Sequence, residues 1–257
     1  MIDIHCHILP RLDDGPISPE ESFRMCRIAL EEGIRAVVAT PHFTDGRFVP
    51  DTEHIRRLVD ELNGVLAVRR LPLRLLPGME VMLGPSFLEH LDSGRLLTLN
   101  DGLYVLVELP TGFSPLGLEN FVDQLIERGI RLILAHPEKN HFIQERPNYL
   151  FHLIRRFTPG EILVQITGAS LWKPWQYLEY RTARTLLRHN LVHLLASDGH
   201  RAKNRPPRLL RAVEVAATLV GETRALQMVH DIPLVVLLGK PFPEGWEPLL
   251  PRSRRLF

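Results

Sequence analysis

The stretch Asp3-Ile4-His5-Cys6-His7 sets the pattern from which the fold is predicted: an apolar strand that ends in polar side chains. Six further apolar segments of strand length follow, at residues 35–42, 74–80, 103–108, 131–136, 162–167 and 191–200. Six of the seven segments end in His, Asp or Glu. Strands buried on both faces read as continuous apolar runs, and barrels of alternating strands and helices carry their working residues at the strands' C-terminal ends. The sequence therefore predicts polar side chains that converge at one mouth of a barrel.

The segments between these strands have helical patterns. Ser18-Pro19-Glu20-Glu21 is a capping box with proline at the first helical position, and Gly33 ends that helix after the apolar residues Phe23, Cys26 and Leu30. From about Thr52, apolar residues recur at helical spacing: Ile55, Leu58, Val59, Leu62, Val65 and Leu66. Further helices are predicted for 118–129, 147–158, 177–189, 207–220 and 222–230, followed by a proline-rich segment. We expect an α/β fold, a distorted seven-stranded (β/α) barrel with extra C-terminal helices; an open doubly wound sheet has the same periodicity.

Length and composition limit the function further. A chain of 257 residues with 45% hydrophobic content suits a single barrel domain spanning residues 1–257. The net charge of +1 gives no overall field for nucleic acid or anionic membranes, so we expect neither as a partner. The apolar run at 232–238 is too short to cross a bilayer. Asp3, His5 and His7 stand where a secretory signal would need an uninterrupted apolar stretch. We therefore expect a cytoplasmic protein in which Cys6 and Cys26 are free thiols.

Two histidines on the first strand begin the candidate site. Residues two apart share a face of a strand, so His5 and His7 both point to the barrel mouth while Cys6 points into the packing. An isolated His-x-His is a weak signal by itself. Its significance depends on the ends of the later strands.

The later strand ends supply His42, Glu80, Glu108, His136, Asp198 and His200. Burying several carboxylates and imidazoles at strand ends costs several kcal/mol for each uncompensated charge, and divalent cations provide the compensation. Imidazole and carboxylate without cysteine suit Mn, Fe or Zn, and so many ligands imply two or three ions. Asp14 is equally consistent with a ligand and with the turn Asp13-Asp14-Gly15.

Six motifs together carry a family resemblance: His5-Cys6-His7-Ile8-Leu9-Pro10 with Asp13-Asp14-Gly15, Ala39-Thr40-Pro41-His42, Pro77-Gly78-Met79-Glu80, Ala135-His136-Pro137-Glu138, Gln165-Ile166-Thr167 and Ala196-Ser197-Asp198-Gly199-His200. They resemble the polymerase and histidinol phosphatase (PHP) superfamily, and within it the bacterial tyrosine phosphatases that act on capsule and exopolysaccharide kinases. The resemblance implies a TIM-like barrel with three metal ions, usually manganese, while Fe, Co or Zn remain possible. The implied ligands are His5, His7, Asp14, His42, Glu80, Glu108, His136, Asp198 and His200. It also implies that a metal-bound hydroxide attacks the phosphorus of a phosphotyrosyl protein, such as a tyrosine kinase.

Two cationic side chains are candidates for binding phosphate oxygens. Arg205 matches an arginine of the family motif, and Lys139 stands where relatives carry arginine, which keeps the charge but loses the two-pronged geometry. Arg11 stands where relatives tend to have glycine. It either adds a phosphate contact or is only a solvated side chain on its loop.

A tyrosine substrate needs an apolar slot for its ring. The candidate aromatic residues, which serve equally well as loop anchors, are Phe43, Phe48, Phe113 and Trp172. The cysteine-based phosphatase motif Cys-x5-Arg is excluded, because its arginine positions hold Leu12 and Glu32. Any phosphotyrosine activity must therefore depend on metal ions.

Three other functions share parts of this pattern. The same metals in the same barrel could hydrolyse a small phosphomonoester such as histidinol phosphate, or a nucleotide. Amidohydrolases also begin with His-x-His, but their bridging lysine on the fourth strand is absent from 103–110, where Glu108 stands. A metal-binding module that docks to a polymerase or kinase without turnover is the non-enzymatic alternative.

Overall fold

The computed structural model describes residues 1–110 and 117–251, and it confirms an α/β fold built on parallel strands. The strands are β1 (Ile2–Cys6), β2 (Ala36–Ala39), β3 (His42–Phe43), β4 (Arg74–Pro77), β5 (Glu80–Met82), β6 (Tyr104–Glu108), β7 (Arg131–Ala135), β8 (Ile162–Thr167) and β9 (Leu194–Ala196). They pair in two parallel sheets, with the orders β1-β2-β4 and β3-β5-β6-β7-β8-β9. The seven predicted strands thus recur in the same succession, and two of them are divided, which gives nine.

Two predicted strands are interrupted just before their polar ends. The segment 35–42 divides into β2 and β3 around Pro41, which cannot donate a hydrogen bond to a neighbouring strand. The segment 74–80 divides into β4 and β5 around Gly78, where a Cβ atom would lie 2.9 Å from side-chain atoms of both Leu99 and Val38. Both breaks come immediately before a predicted ligand, and β3 then pairs with β5 so that His42 lies beside Glu80.

Hydrogen bonds join the first strand to the segment that follows the last one. The Asp198 amide donates to the His5 carbonyl at 3.0 Å, and the His7 amide donates to the Gly199 carbonyl at 2.8 Å. The buried Asp3 carboxylate accepts the Ser197 amide at 2.9 Å, and burial raises the pKa of Asp3 to about 6. The predicted seventh strand is therefore shorter than expected, because residues 197–200 bond along this junction rather than within β9.

The helices surround the strands. They are α1 (Pro19–Glu31), α2 (Thr52–Val68), α3 (Phe87–Asp92), α4 (Leu118–Glu127), α5 (His141–Glu145), α6 (Asn148–Arg156), α7 (Tyr177–Arg188), α8 (Leu210–Val220), α9 (Glu222–Gln227) and α10 (Asp231–Leu238). The extra C-terminal helices are confirmed, but α10 stands where the sequence predicted only a proline-rich end. None of the helices in the described ranges is long and apolar enough to span a bilayer.

The helix starts and faces largely follow the sequence pattern. The Ser18 side chain accepts the Glu21 amide at 3.3 Å, as a capping box requires, whereas the Glu21 carboxylate accepts the Ile17 amide instead of the Ser18 amide. Helix α2 buries Ile55, Val59, Leu62 and Leu66, but Val65 of the predicted stripe is 40% exposed. The apolar stripe is therefore narrower than predicted.

The core lies between the strands and the helices that cover them. The central strand β7 contributes Leu132, Ile133 and Leu134, none of which is exposed. Each such side chain contributes about 1.5–3 kcal/mol relative to an exposed one. Against this apolar background, the buried polar side chains concentrate at the C-terminal ends of the strands, where the candidate site lies.

Candidate metal centre

All nine side chains predicted as ligands meet at the C-terminal ends of the strands. Each lies within 4.0 Å of at least one other through a carboxylate oxygen and an imidazole nitrogen. Residues separated by up to about two hundred positions in sequence are neighbours here because parallel strands bring their carboxyl ends to one edge. The sequence was consistent with either a turn or a ligand role for Asp14. Its Oδ1 atom lies 3.4 Å from His200 Nε2 and 3.7 Å from His42 Nε2.

Glu80 is the centre of this group. Its Oε2 atom lies 3.1 Å from His5 Nε2, from His7 Nε2 and from His42 Nδ1, and its Oε1 atom lies 2.7 Å from His136 Nε2. The carboxylate is fully buried, yet Oε2 has no partner of hydrogen-bond geometry among the described residues. Three ring nitrogens that approach one oxygen without hydrogen-bonding to it form a donor set that could hold a cation.

The ligand atoms form three overlapping groups, and within each group these atoms lie within 4.8 Å of one another. They are His7 with Asp14, His42 and His200; His5 with His7 and Glu80; and His42 with Glu80 and Glu108. The His5 and His7 Nε2 atoms are only 3.2 Å apart, which is unfavourable for two neutral rings unless one donates or a cation lies between them. A nitrogen and oxygen donor set of this kind fits divalent cations of the first transition row.

The charges of the site are strongly coupled. Burial opposes ionisation of Glu80, but the imidazoles of His5 and His136 hold its pKa well below the usual range. Burial, with the nearby Glu80 charge, raises the pKa of Glu108 to about 7. Burial also lowers the pKa of His42 to about 4, which keeps this ring neutral and able to bind a cation near pH 7.

A second layer of groups fixes the rings. His7 Nδ1 lies 2.7 Å from Asp13 Oδ2, and His5 Nδ1 lies 2.9 Å from Gln165 Oε1, so in each ring Nδ1–H donates outwards and Nε2 faces the cluster. The Asp13 carboxylate also accepts the amides of His42 and Gly15, at 2.9 and 2.8 Å. The sequence analysis assigned no role to Asp13 or Gln165, although both belong to quoted motifs.

The two cationic side chains predicted to bind phosphate both contact the Asp198 carboxylate. Lys139 Nζ lies 2.5 Å from Asp198 Oδ2, and Arg205 Nη2 lies 2.9 Å from Asp198 Oδ1. These cations, with His5, hold the pKa of the buried Asp198 well below its usual range although burial opposes this. Arg11 is exposed and donates its Nε–H to the Ile17 carbonyl at 3.0 Å, so it stabilises its own loop.

The predicted aromatic slot is reduced to fewer residues. Phe43 is only 2% exposed and packs in the core, so it is excluded as a wall of an open slot. Trp172 is half-buried with the Arg211 guanidinium over its ring, and Phe113 lies outside the described residues. Phe48 is half-buried and stacks on His42, with 5.9 Å between the ring centroids. A cleft of about 230 Å³ next to the cluster is lined by Glu108, Leu109, Ala135, His136, Pro137, Lys139, Asn140 and Glu179.

The parallel barrel-type fold and the buried group of imidazoles and carboxylates define the class of (β/α) proteins with a candidate metal centre at the strand ends. Within that class the chain belongs to the CpsB/CapC family of capsular polysaccharide synthesis, whose family model matches residues 1–238. The resemblance stated from the motifs is therefore confirmed.

Curated relatives match almost from end to end. The chain is 32% identical over 257 residues to the tyrosine-protein phosphatase YwqE of Bacillus subtilis, covering 100% of this chain and 99% of YwqE. It is 28% identical over 246 residues to the tyrosine-protein phosphatase CpsB of Streptococcus pneumoniae, covering 93% and 99% of the two chains.

Solved structures agree with the fold. One from work on YwqE of Bacillus subtilis and CpsB of Streptococcus pneumoniae, described as metal-dependent tyrosine phosphatases, matches with a TM-score of 0.90 and 33% identity over 99% of this chain and 100% of the other. The histidinol phosphate phosphatase of Lactococcus lactis matches with a TM-score of 0.59 at 16% identity, covering 87% and 93% of the two chains. The second match shows a shared fold.

Proposed function

We propose that this protein is a metal-dependent phosphatase that removes phosphate from phosphotyrosine in a bacterial protein. The observation that carries the proposal is the arrangement around Glu80, where a buried oxygen with no hydrogen-bond partner in 1–110 or 117–251 lies 3.1 Å from three ring nitrogens. Full-length relatives named tyrosine-protein phosphatases support the choice of substrate.

The cofactor is two or three divalent metal ions, with manganese as the first choice and Fe, Co or Zn as alternatives. The proposed ligands are the nine residues His5, His7, Asp14, His42, Glu80, Glu108, His136, Asp198 and His200. Seven of the nine fall into three overlapping groups, which support more than one ion because His7, His42 and Glu80 each belong to two groups. When bound, such ions activate water as a nucleophile and neutralise phosphate oxygens.

The chain's own residues complete the chemistry. Lys139 and Arg205 stand at the edge of the cluster with side chains 32% and 43% exposed, so they can bind the phosphate oxygens that face the cleft. Asp13 and Gln165 hold the rings of His7 and His5 in the tautomer that presents Nε2. The leaving phenolate belongs to a phenol of pKa about 10, so it departs with little protonation.

The substrate is proposed to be a bacterial tyrosine kinase of capsule or exopolysaccharide synthesis, and the location cytoplasmic. The family description, capsular polysaccharide synthesis, supports the pathway. We further propose that residues 1–257 form one domain, which the family match over residues 1–238 and the single succession of strands support.

A metal-reconstituted substrate panel tests the proposal. Manganese-loaded protein is expected to hydrolyse a phosphotyrosyl peptide with a higher kcat/KM than a phosphoseryl peptide or histidinol phosphate. The His42→Ala variant is the control, because it removes a ring shared by two ligand groups. A clear preference for histidinol phosphate or a nucleotide would identify a small-molecule phosphatase. Stoichiometric metal without turnover of any phosphoester would identify a non-catalytic module.

A further inference from the structure

Four aromatic rings form a series of neighbouring contacts, two of them stacked and the middle one tilted, that leads out of the candidate metal centre. The ring of His200 lies 3.7 Å from that of His7, His7 lies 4.4 Å from His42, and His42 lies 5.9 Å from Phe48. Phe48 is nearly parallel to His42, with an interplanar angle of 14°. Phe48 is the last ring of this series and is half-buried, so part of its side chain remains accessible beside the cluster.

A tight turn sets the position of Phe48. Phe48 and Thr44 exchange two backbone hydrogen bonds, with Thr44 N to Phe48 O at 2.7 Å and Phe48 N to Thr44 O at 2.9 Å. Gly46 supplies the positive φ of 74° that the turn requires. The turn follows β3 directly, so the position of Phe48 is tied to the strand that begins with His42.

The turn is anchored to α3 by a hydrogen bond between side chains. Asp45 Oδ1 lies 2.8 Å from His90 Nε2, and His90 Nδ1 lies 3.1 Å from an Arg95 guanidinium nitrogen. His90 is 8% exposed, and its ring packs against Phe43. An aromatic side chain held both by its own turn and by a neighbouring helix is suited to bind a rigid ligand.

We infer that Phe48 is the specificity-determining residue that binds the phenyl ring of the phosphotyrosine, an inference that rests on the proposed function. A phosphate on the cluster places its ester group at the cluster's edge, and an aryl group there meets the accessible part of Phe48. Aromatic rings bind one another in offset or edge-to-face geometry, whereas the short side chain of phosphoserine does not reach such a surface. Phe43, the other described phenylalanine near this turn, is buried and unavailable.

Arg47 covers part of the Phe48 ring, with its guanidinium carbon 4.8 Å from the centroid. This side chain is exposed and forms no ion pair with any residue in 1–110 or 117–251, so it can move aside when a ring binds. The preference for an aryl group is therefore assigned to Phe48 rather than to the neighbouring charge.

The first experiment measures binding without turnover. Manganese-loaded protein is titrated by calorimetry with phenylphosphonate and with methylphosphonate, and the ratio of the two dissociation constants gives the preference for a ring. Phe48→Leu is expected to reduce this preference about threefold to tenfold, the range for one aromatic pair, while Phe48→Trp retains it. Metal content is expected to equal that of the wild type in both variants.

Two matched variants separate a ring contact from a general defect. Phe151→Leu alters a half-buried phenylalanine on α6 that also lies under a guanidinium, with Arg155 at 5.4 Å, and is expected to leave the preference unchanged. Arg47→Ala removes the charge beside Phe48 and is expected to keep the preference within about twofold. A wild-type protein that binds both phosphonates equally, or a Phe48→Leu variant with the wild-type preference, overturns the inference.

Kinetics distinguish this inference from the proposed function. Phe48→Leu is expected to lower kcat/KM for a phosphotyrosyl peptide about threefold to tenfold more than kcat/KM for a phosphoseryl peptide. If the wild type hydrolyses no phosphoester while Phe48 still determines phosphonate selectivity, the proposed function fails and the ring contact stands. If phosphotyrosine is hydrolysed and Phe48→Leu has no selective effect, the reverse holds.

Discussion

Asp13 is the residue whose replacement tests the logic of the site most directly. Its Oδ2 atom accepts hydrogen bonds from His7 Nδ1 and the His42 amide, and its Oδ1 atom accepts the Gly15 amide. The Asp13→Asn variant has nearly the same shape but only one acceptor oxygen. Whichever way the amide is turned, its NH₂ group faces at least one N–H that now lacks an acceptor. With the amide oxygen towards Gly15, the His7 ring loses the acceptor that fixes its tautomer. With the oxygen towards His7, the ring keeps an acceptor but loses its charged partner, and the Gly15 amide loses its own acceptor.

The size of the effect follows from these contacts. A hydrogen bond to a charged group contributes about 1.5–3 kcal/mol, and the bond at 2.7 Å to His7 is of this kind. Removing an outer partner of a metal-bound histidine weakens metal affinity about 10- to 100-fold, equivalent to about 1.4–2.8 kcal/mol. The two ranges agree, so we expect Asp13→Asn to weaken manganese binding by about this factor.

The assay is a competition titration of manganese against a chelating dye, followed by kcat/KM at saturating metal. Asp92→Asn is the matched control, because Asp92 also accepts two charge-assisted hydrogen bonds, from Arg128 at 2.7 and 2.9 Å, but is exposed. It is expected to leave manganese affinity unchanged. Wild-type affinity in Asp13→Asn, with the fold intact by circular dichroism, would refute the proposed role of Asp13.

Three further changes probe the centre, the core and the chain junction. Glu80→Gln is expected to reduce bound metal, measured by elemental analysis, and to lower kcat/KM more than about 100-fold, because the charge facing four imidazoles is removed. His193→Asn is expected to reduce the loss in free energy of unfolding that accompanies a fall in pH. Burial, and then Arg224, lowers the pKa of His193 to about 3, so below about pH 6.5 the unfolded chain takes up a proton that the folded chain does not bind. Urea unfolding is expected to show the wild type losing about 2 kcal/mol more than this variant between pH 7 and pH 5. Gly199→Ala is expected to lower the free energy of unfolding by about 1–3 kcal/mol, since its Cβ would lie 3.0 Å from the backbone of Pro207, whereas Gly64→Ala, with no atom within 4 Å, is expected to be neutral or stabilising in the same denaturant titration.

The strands were predictable because burial on both faces leaves a continuous apolar signature. Leu132, Ile133 and Leu134 of β7 show this plainly, since none of the three is exposed. Helix α10 was missed for the converse reason: Ile232 to Leu238 is apolar throughout, so it has no stripe of helical period. Pro233 also argued against a helix there, although it lies in the first turn, where proline is tolerated.

The ligands were predictable from their place at strand ends, whereas the groups that orient them were not. The pairing of Asp13 with His7 depends on how the turn at 13–15 folds back over the strand end. Gln165 reaches His5 across 160 positions of sequence, a contact that no local pattern contains. Phe43 and Phe48 lie five positions apart in sequence, and the turn at 44–48 separates a core side chain from one beside the cluster.

The junction between the two ends of the strand succession has a consequence for synthesis. The Asp3 carboxylate receives its hydrogen bond from an amide 194 residues later, so β1, which pairs with β2 on one side, lacks its neighbour on the other side until that later segment has been made. The candidate ligands lie on both sides of this junction, with His5 before it and Asp198 after it. Cations captured there would tie together two chain segments that are distant in time as well as in sequence, and maturation of the newborn protein would depend on the supply of metal.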